Sequence, residues 1–416
     1  MTSQIVKKRT KCRLCDNGSI VKVLPINPSP IADAYVKKDN LNVDQELIPL
    51  DLYQCQECGH VQNLDVVNPE YLFKDYIFHT SGSKSLIDHF SLYVDSVLKK
   101  FDLKNNSLVV EVGSNDGTLL KFFKEHGFHI LGIDPAVDIA HKANKEGIPT
   151  INNFFSSELA VEIRNKNGSA QLVVANNVYA HSDSLGDMTK GIELLLSDSG
   201  VFIFEVSYLL DIVDNFLFDT IYHEHLSYHS LGSLSSFLNK YRLELFDVEK
   251  INSKGGSIRC FAQKINGIHE KNNIVSSMIA EEGRRGLYSP EIFYKYSNDI
   301  DAIKNNILNY LEKNTNNKTK ILGYGASTTA TTLMYHFEIT SILNYLIDDN
   351  KLKYGMYSPG AHIEVKPSNF IYEYSPDIII ILAWQYADQI ISKHSTYLDN
   401  GGKFLIPLPE LRICKK

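Results

Sequence analysis

Apolar residues recur along this 416-residue chain in two rhythms, and the change from one to the other marks its elements. Short runs rich in β-branched residues, bounded by glycine or acids, predict buried parallel strands at Leu108–Val112, Ile130–Asp134, Ala170–Ala175 and Gly200–Val206. Two further runs, Leu243–Lys250 and Ser257–Gln263, complete a first sheet. Between the first two strands a glycine-bearing turn leads into a helix opening at Thr118. An amphipathic helix from Ser85 through Lys100 precedes this sheet. The segment from His269 to Lys313 is helical and charged, without a strand pattern, and is expected to act as a connector. A second alternation follows. Lys320 to Thr328 is again strand, glycine turn and helix, and strands are expected at Asn344–Ile347, Ile378–Ala383 and Phe404–Pro407. Strands alternating with helices predict an α/β fold with two parallel sheets.

Composition narrows the class of protein. Hydrophobic residues make up 44% and charged residues 22%, as in an ordinary globular protein, and the length suits two to three domains. A net charge of -7 argues against a nucleic-acid-binding face, which needs a basic stripe. The longest apolar run, Ile378 to Trp384, is too short to span a bilayer. No early segment has a signal-peptide pattern, so a cytoplasmic chain with reduced thiols is expected, with no membrane partner.

The first turn carries the most chemistry. Glu111-Val112-Gly113-Ser114-Asn115-Asp116-Gly117 follows a strand, and Asp134 lies about 20 residues beyond Gly113, where a ribose-binding acid is usual. A dinucleotide site wants G-x-G-x-x-G so that backbone can approach a pyrophosphate. Glu111 and Asp116 would repel one. They suit a cationic, phosphate-free nucleoside, and S-adenosylmethionine, with its sulfonium, ammonium and ribose hydroxyls, fits that pattern. The bland alternative is a tight connection that binds nothing. Asn176 and Asn177, straight after the third strand, lie where open α/β sheets bind ligands. The second turn, Gly323-Tyr324-Gly325-Ala326-Ser327, has hydroxyls and no acids. It is read as an anion site for a nucleotide diphosphate, against a scaffolding unit whose turn is empty.

Four of six cysteines form two C-x-x-C pairs, Cys12 with Cys15 and Cys55 with Cys58. Four thiolates make a closed tetrahedral site for structural Zn²⁺, with no open position for catalysis. Redox motifs and disulfides are the alternatives. The residues between the pairs would form an inserted lobe containing Pro25, Pro28 and Pro30. Cys260 and Cys414 are isolated, as buried apolar residues or inert thiols.

Tyr222-His223-Glu224-His225-Leu226-Ser227-Tyr228-His229 packs three histidines, a carboxylate and two tyrosines together. It is not H-E-x-x-H, so a metal site is disfavoured. General acid–base chemistry with an imidazole base is expected, against a solvated polar loop. Glu224 could support an imidazolium, and tyrosine hydroxyls an oxyanion. Lys254-Gly255-Gly256-Ser257-Ile258-Arg259, a glycine turn flanked by cations, suits an anionic substrate or is a plain hairpin. Tyr76 and its neighbours could form a lid, with Phe73 and Phe78 expected in a core aromatic cluster.

Taken in order, these motifs resemble the sugar C-methyltransferases that act on nucleotide-linked 4-keto-deoxysugars, over essentially the whole chain. The resemblance rests on both cysteine pairs with Gly59-His60, on Glu111 to Gly117, Asn176 to Asp183, Tyr222 to Tyr228, Lys254 to Arg259, and Gly323 to Ala326. Ile258, where leucine is usual, is the one departure noted. The resemblance implies a Rossmann-like class I methyltransferase core (69–268) between an N-terminal zinc-binding lobe (1–68) and a helical connector (269–313), with a C-terminal Rossmann-like nucleotide-sugar-binding domain (314–416). It implies S-adenosylmethionine held by Glu111, Gly113, Asn115, Asp116, Gly117, Asp134 and Asn176, and zinc held by the four cysteines. It implies His225 as the base that takes the C3 proton, with Tyr222, Glu224 and Tyr76 as further catalytic groups. Substrate would meet Asn177, His181, Lys254, Arg259, Gly323, Tyr324, Gly325 and Ser327. The nucleotide is expected to be dTDP. Two other enzymes remain open: an NAD-dependent nucleotide-sugar oxidoreductase using the Gly323 turn, and a zinc-bearing methyltransferase of another substrate. Oligomeric state is not set by the sequence, and a monomer is compatible with it.

Overall fold

The computed structural model describes residues 5–74 and 79–416. Its central sheet has the spatial order Leu243–Ile251, Ser257–Lys264, Leu196–Ser207, Ala170–Asn176, Leu108–Val112, His129–Ile133, Thr150–Ile151. Ser257–Lys264 runs antiparallel to both its neighbours, while the five strands from Leu196–Ser207 onward are parallel to one another. All five residues of Leu108–Val112 are buried, which a central strand covered on both faces by helices requires. The helix Lys84–Lys100 covers one face with Phe90, Tyr93, Val94 and Val97. This is the Rossmann-like methyltransferase arrangement expected. Its strands fall within a few residues of the expected bounds, and only the two-residue strand Thr150–Ile151 went unforeseen.

The C-terminal sheet has the order Val365–Pro367, Tyr345–Asp348, Ile321–Tyr324, Ile378–Ile381, Lys403–Ile406, Arg412–Cys414, parallel except for the last strand. In both sheets the chain reverses its direction of travel beside the first strand, between Leu108–Val112 and Ala170–Asn176 and between Ile321–Tyr324 and Ile378–Ile381. These are the switch points where α/β sheets bind ligands. The connector is two helices, Asn273–Arg284 and Pro290–Asn314. The second buries Phe293, Tyr296, Ile300, Ile303, Ile307 and Leu311, a stripe at three- and four-residue spacing, so this charged connector helix also packs into the core. No helix among the described residues is long and apolar enough to cross a membrane.

The N-terminal lobe is a four-stranded antiparallel sheet in the order Ser227–Tyr228, Val61–Asn63, Leu52–Cys55, Ile20–Leu24. Its first strand comes from the histidine-rich loop, so lobe and loop share one sheet across the expected domain boundary. Arg13 strengthens that seam: its buried guanidinium donates to the Leu226 carbonyl at 2.8 Å and to Asn63 O at 3.1 Å.

Candidate active site and zinc centre

The carboxyl edges of the two parallel sheets face a common cavity of about 730 Å³. Glu111, Gly113, Asn115, Asp134, Asn176, Asn177, His181, Tyr222, Glu224, His225, Lys254 and Ser327 all line it, joined by residues that sequence reasoning passed over, among them Phe154, Asp219, Thr329, Trp384 and Tyr386. Asp116, Gly117, Arg259, Gly323, Tyr324 and Gly325 do not line it. Tyr76 and Phe78 lie outside the described residues. Phe73, expected in a core, is half-buried at the cavity wall and stacks on His181 with ring centroids 5.8 Å apart.

At one end lies the first turn. Gly113 takes φ +70°, and a Cβ there would come within 2.3 Å of Val178, so only glycine fits. Both oxygens of Asp134 are held by backbone amides, Asn115 N–H at 2.8 Å and Ala136 N–H at 2.9 Å. Each keeps a lone pair for a further donor. Burial raises the Asp134 pKa against those amides. Glu111 is raised well above the carboxylate range, first by burial and then by Asp134 and Asp116, and its Oε2 is buried without a partner. A buried, unpartnered carboxylate beside a second acid favours a cation, which is what S-adenosylmethionine brings. Asp116 differs. Its carboxylate accepts from Ser81 N–H at 2.9 Å and Thr118 Oγ1–H at 2.6 Å. Burial pushes its pKa up, but these bonds outweigh it and the net shift is down. Asp116 therefore fastens the Thr80–Gly82 turn over the site, and Gly117, at φ +75°, opens the helix Thr118–Glu125.

The histidine-rich loop sorts its three imidazoles by direction. His223 Nε2–H donates to the Ile48 carbonyl of the N-terminal lobe at 3.2 Å. His229 is buried against His60 and Tyr179. Only His225 of the three reaches the cavity. Its Nδ1–H donates to the Thr220 carbonyl at 2.8 Å, since a carbonyl can only accept, and this fixes the tautomer with Nε2 unprotonated. Burial and then the Lys254 cation lower its pKa to about 3, so the imidazole is neutral near neutral pH. Tyr222 and His181 pack against the ring, with centroids 4.0 and 5.2 Å away.

Lys254 is the only lysine or arginine lining the cavity among the described residues. It sits in the hairpin turn between Leu243–Ile251 and Ser257–Lys264 at φ +53°, an uncommon backbone for a side chain of this size. Its side chain reaches cavity solvent yet is surrounded by protein, and that burial lowers the ammonium pKa against the pull of Glu224 and Glu205. Arg259, expected to face an anionic substrate, turns the other way. It binds Glu205 through Nε at 2.8 Å and Nη2 at 2.7 Å and lies over the Tyr93 ring. The pairing of a buried guanidinium with a buried carboxylate on the adjacent strand decides this, because either charge alone would be costly.

At the other end, Ser327 caps the helix Thr328–His336 by accepting from Ala330 N–H at 3.3 Å, and Ser327, Thr328 and Thr329 face the cavity. Gly323, Tyr324 and Gly325 shape the turn behind them. The Tyr324 hydroxyl bonds to Asp349 and His394 away from the cavity. The turn's own residues hold no acid, but Asp348 at the end of the neighbouring strand reaches it and accepts from Ala326 N–H at 2.7 Å.

The four N-terminal thiols come together, each sulfur within 4.8 Å of the others, with Cys12–Cys58 at 3.6 Å and Cys15–Cys55 at 3.4 Å. Sulfurs about 2.3 Å from a tetrahedral Zn²⁺ would stand roughly 3.8 Å apart, so the cluster fits zinc and no disulfide forms. A bond from the Cys58 thiol shifts Cys12 down, and the same bond with burial shifts Cys58 up, as burial does Cys15; a metal would take the place of the protons these thiols hold. Cys260 is buried and Cys414 half-buried.

Fold, cofactor turn and thiol cluster together define an S-adenosylmethionine-dependent methyltransferase with a zinc lobe. Family models match along the chain in the same order: "Putative zinc binding domain" over residues 12–73, "Methyltransferase domain" over 87–248, and "C-methyltransferase C-terminal domain" over 252–409. C-methyltransferase NovU of Streptomyces niveus is 32% identical over 414 residues, covering 98% of each chain. The chain belongs to this family of S-adenosylmethionine-dependent C-methyltransferases. Among solved structures, an S-adenosylmethionine-dependent methyltransferase from Clostridium acetobutylicum overlaps 43% of this chain and 92% of its own, at 14% identity and a TM-score of 0.35. Magnesium protoporphyrin IX methyltransferase from Synechocystis overlaps 43% and 79%, at 12% identity and a TM-score of 0.33.

Proposed function

We propose that this enzyme methylates C3 of a nucleotide-linked 4-keto-deoxysugar, with dTDP as the expected nucleotide, by way of an enolate. The observation that carries this reading is the His225 tautomer: Nδ1–H tied to Thr220 leaves Nε2 unprotonated on a ring that lines the cavity between the two sheet edges. A ketone acidifies the proton on the adjacent carbon. Nε2 of His225 takes the C3 proton, and the electron pair moves into the C3–C4 bond and onto the ketone oxygen. Lys254 offers that oxygen a cation, and Tyr222, Glu224, Asn177 and His181 surround the same space, with Tyr76 a further proposed contributor. The bound cofactor supplies an electrophilic methyl group, with a neutral thioether as leaving group. Transfer of that methyl to C3 would restore the C4 ketone, and the proton held on His225 passes to solvent.

An imidazole with its pKa lowered to about 3 is a weak base, and the adjacent Lys254 ammonium compensates by stabilising the enolate. Glu111, Gly113, Asn115, Asp134 and Asn176 are the proposed cofactor contacts, and Ser327 with its neighbours Thr328 and Thr329 the proposed nucleotide-sugar contacts. A panel of nucleotide 4-keto sugars, each paired with its 4-hydroxy counterpart, tests the reaction. Methylation of a 4-keto member at C3 is expected, and His225→Asn should lose about 10²-fold or more of the rate while binding the cofactor normally. Methylation of a 4-hydroxy sugar alone would overturn the enolate route.

A further inference from the structure

Between the two sheet edges the segment 218–221, which leads into the histidine-rich loop, is fastened to the C-terminal unit at three points. The Thr332 hydroxyl donates to the Ile221 carbonyl at 2.7 Å. The Phe218 ring packs against Phe337 and His336, with centroids 5.1 and 5.2 Å away. The third point is the indole N–H of Trp384, which donates to Asp219 Oδ2 at 2.8 Å. Only this third contact has both partners on the cavity wall.

Asp219 is 1% exposed, and its other oxygen, Oδ1, is buried without a partner. A neutral acceptor would bolt two elements together at lower cost than a carboxylate satisfied on one side only. Asp219 also stands in a telling place. Residues Phe218–Thr220 form one short turn, and the carbonyl that fixes the His225 tautomer belongs to Thr220, the next residue. Trp384 follows the strand Ile378–Ile381 at the switch point of the C-terminal sheet, across the cavity from the cofactor turn. The indole thus lines the cavity while its nitrogen donates to Asp219.

We infer that Asp219 and Trp384 are positioning residues, through whose hydrogen bond the C-terminal unit sets the orientation of the His225 imidazole. The inference rests on the proposed nucleotide-sugar site only for its kinetic arm.

The test compares Trp384→Phe, which keeps a ring on the cavity wall without its N–H, Asp219→Leu, which removes the acceptor, and Asp219→Asn, which keeps one. Nitrogen NMR of the His225 imidazole reads the tautomer with cofactor product bound and no sugar present. The wild type is expected to show Nδ1–H. Trp384→Phe and Asp219→Leu should show a mixture of tautomers, and Asp219→Asn should return towards the single form. In steady-state turnover the first two should lose roughly tenfold in kcat with little change in KM, the size of one hydrogen bond. A single Nδ1–H tautomer in Trp384→Phe would overturn the inference, as would an Asp219→Asn variant as disturbed as Asp219→Leu. Absence of turnover with every nucleotide 4-keto sugar in the wild type would instead count against the proposed substrate, and the imidazole readout would still decide the positioning role. Thermal melting of each variant separates a local change from loss of the fold.

Discussion

The two glycine turns of this chain share one construction and differ at a single telling place. In each, the glycine amide donates to the last apolar residue of the neighbouring strand, Gly113 to Ile133 at 2.8 Å and Gly325 to Ile347 at 2.7 Å. In each, an aspartate just beyond or ending that strand takes the next free turn amide, Asp134 from Asn115 and Asp348 from Ala326. Two residues before the glycine they part. The first turn has Glu111, buried with an unsatisfied oxygen, and the second has Gly323, where a Cβ would come within 2.8 Å of Leu346 and Leu382. The contrast is thus not acid against no acid, since both turns use an aspartate. It lies in a carboxylate left unspent on one side, and in a helix opening with Ser327, Thr328 and Thr329 on the other. An unspent acid favours a cation, and hydroxyls at a helix N-terminus favour an anion.

The predictions probe this contrast from outside and within. The largest effect should come from removing zinc, which neither turn touches. The histidine-rich loop contributes a strand to the lobe sheet, and structural zinc contributes on the order of 10 kcal/mol to folding. One zinc per chain is expected by elemental analysis. Stripping it should abolish both methyl transfer and the lobe's circular dichroism signal, and full activity in zinc-free protein would detach the lobe from the site.

Next in size is Lys254→Met. Losing the cation should cost about 10²-fold in kcat. It should also raise the His225 pKa from about 3, because Lys254 is the second cause of its depression after burial. The base works when deprotonated, so activity falls as pH drops through its pKa, and the acid limb of kcat/KM should move to higher pH in the variant. An unmoved limb would show that Lys254 does not act on the imidazole.

Glu111→Gln should weaken S-adenosylmethionine binding roughly tenfold and S-adenosylhomocysteine much less, since the product lacks the sulfonium charge. The Glu111 pKa is raised, so cation affinity should strengthen as pH rises through it, and the glutamine should erase that part of the dependence. Equal losses for the two ligands, by calorimetry, would make Glu111 a neutral contact. Smallest is Ser327→Ala. It removes a helix cap worth about 1 kcal/mol and should raise the sugar KM a few-fold, leaving cofactor affinity unchanged. A variant that weakens the cofactor instead would reverse the assignment of the two turns.

Much of this was legible in the sequence because local pattern decides it. Strand bounds followed apolar runs, the cysteine pairs announced their cluster, and both turns lay where strand met helix. What escaped depends on partners far along the chain. Arg259 beside a glycine turn looked like a substrate cation, yet its fate was set by Glu205 on the neighbouring strand. Ser227–Tyr228 became a strand of the N-terminal lobe through Val61 and Gln62. Asp219 and Trp384 stand 165 residues apart, and neither belongs to a motif. The apolar stripe from Phe293 to Leu311 was readable, but its surrounding charge masked it.

The central claim is that His225 removes the C3 proton of a nucleotide-linked 4-keto sugar. The most direct measurement is exchange of that proton in D₂O with S-adenosylhomocysteine bound, so that no methyl transfer can follow. Deuterium should enter C3 in the wild type, and His225→Asn should stop it while retaining affinity for both ligands. Undiminished exchange in His225→Asn would contradict the account.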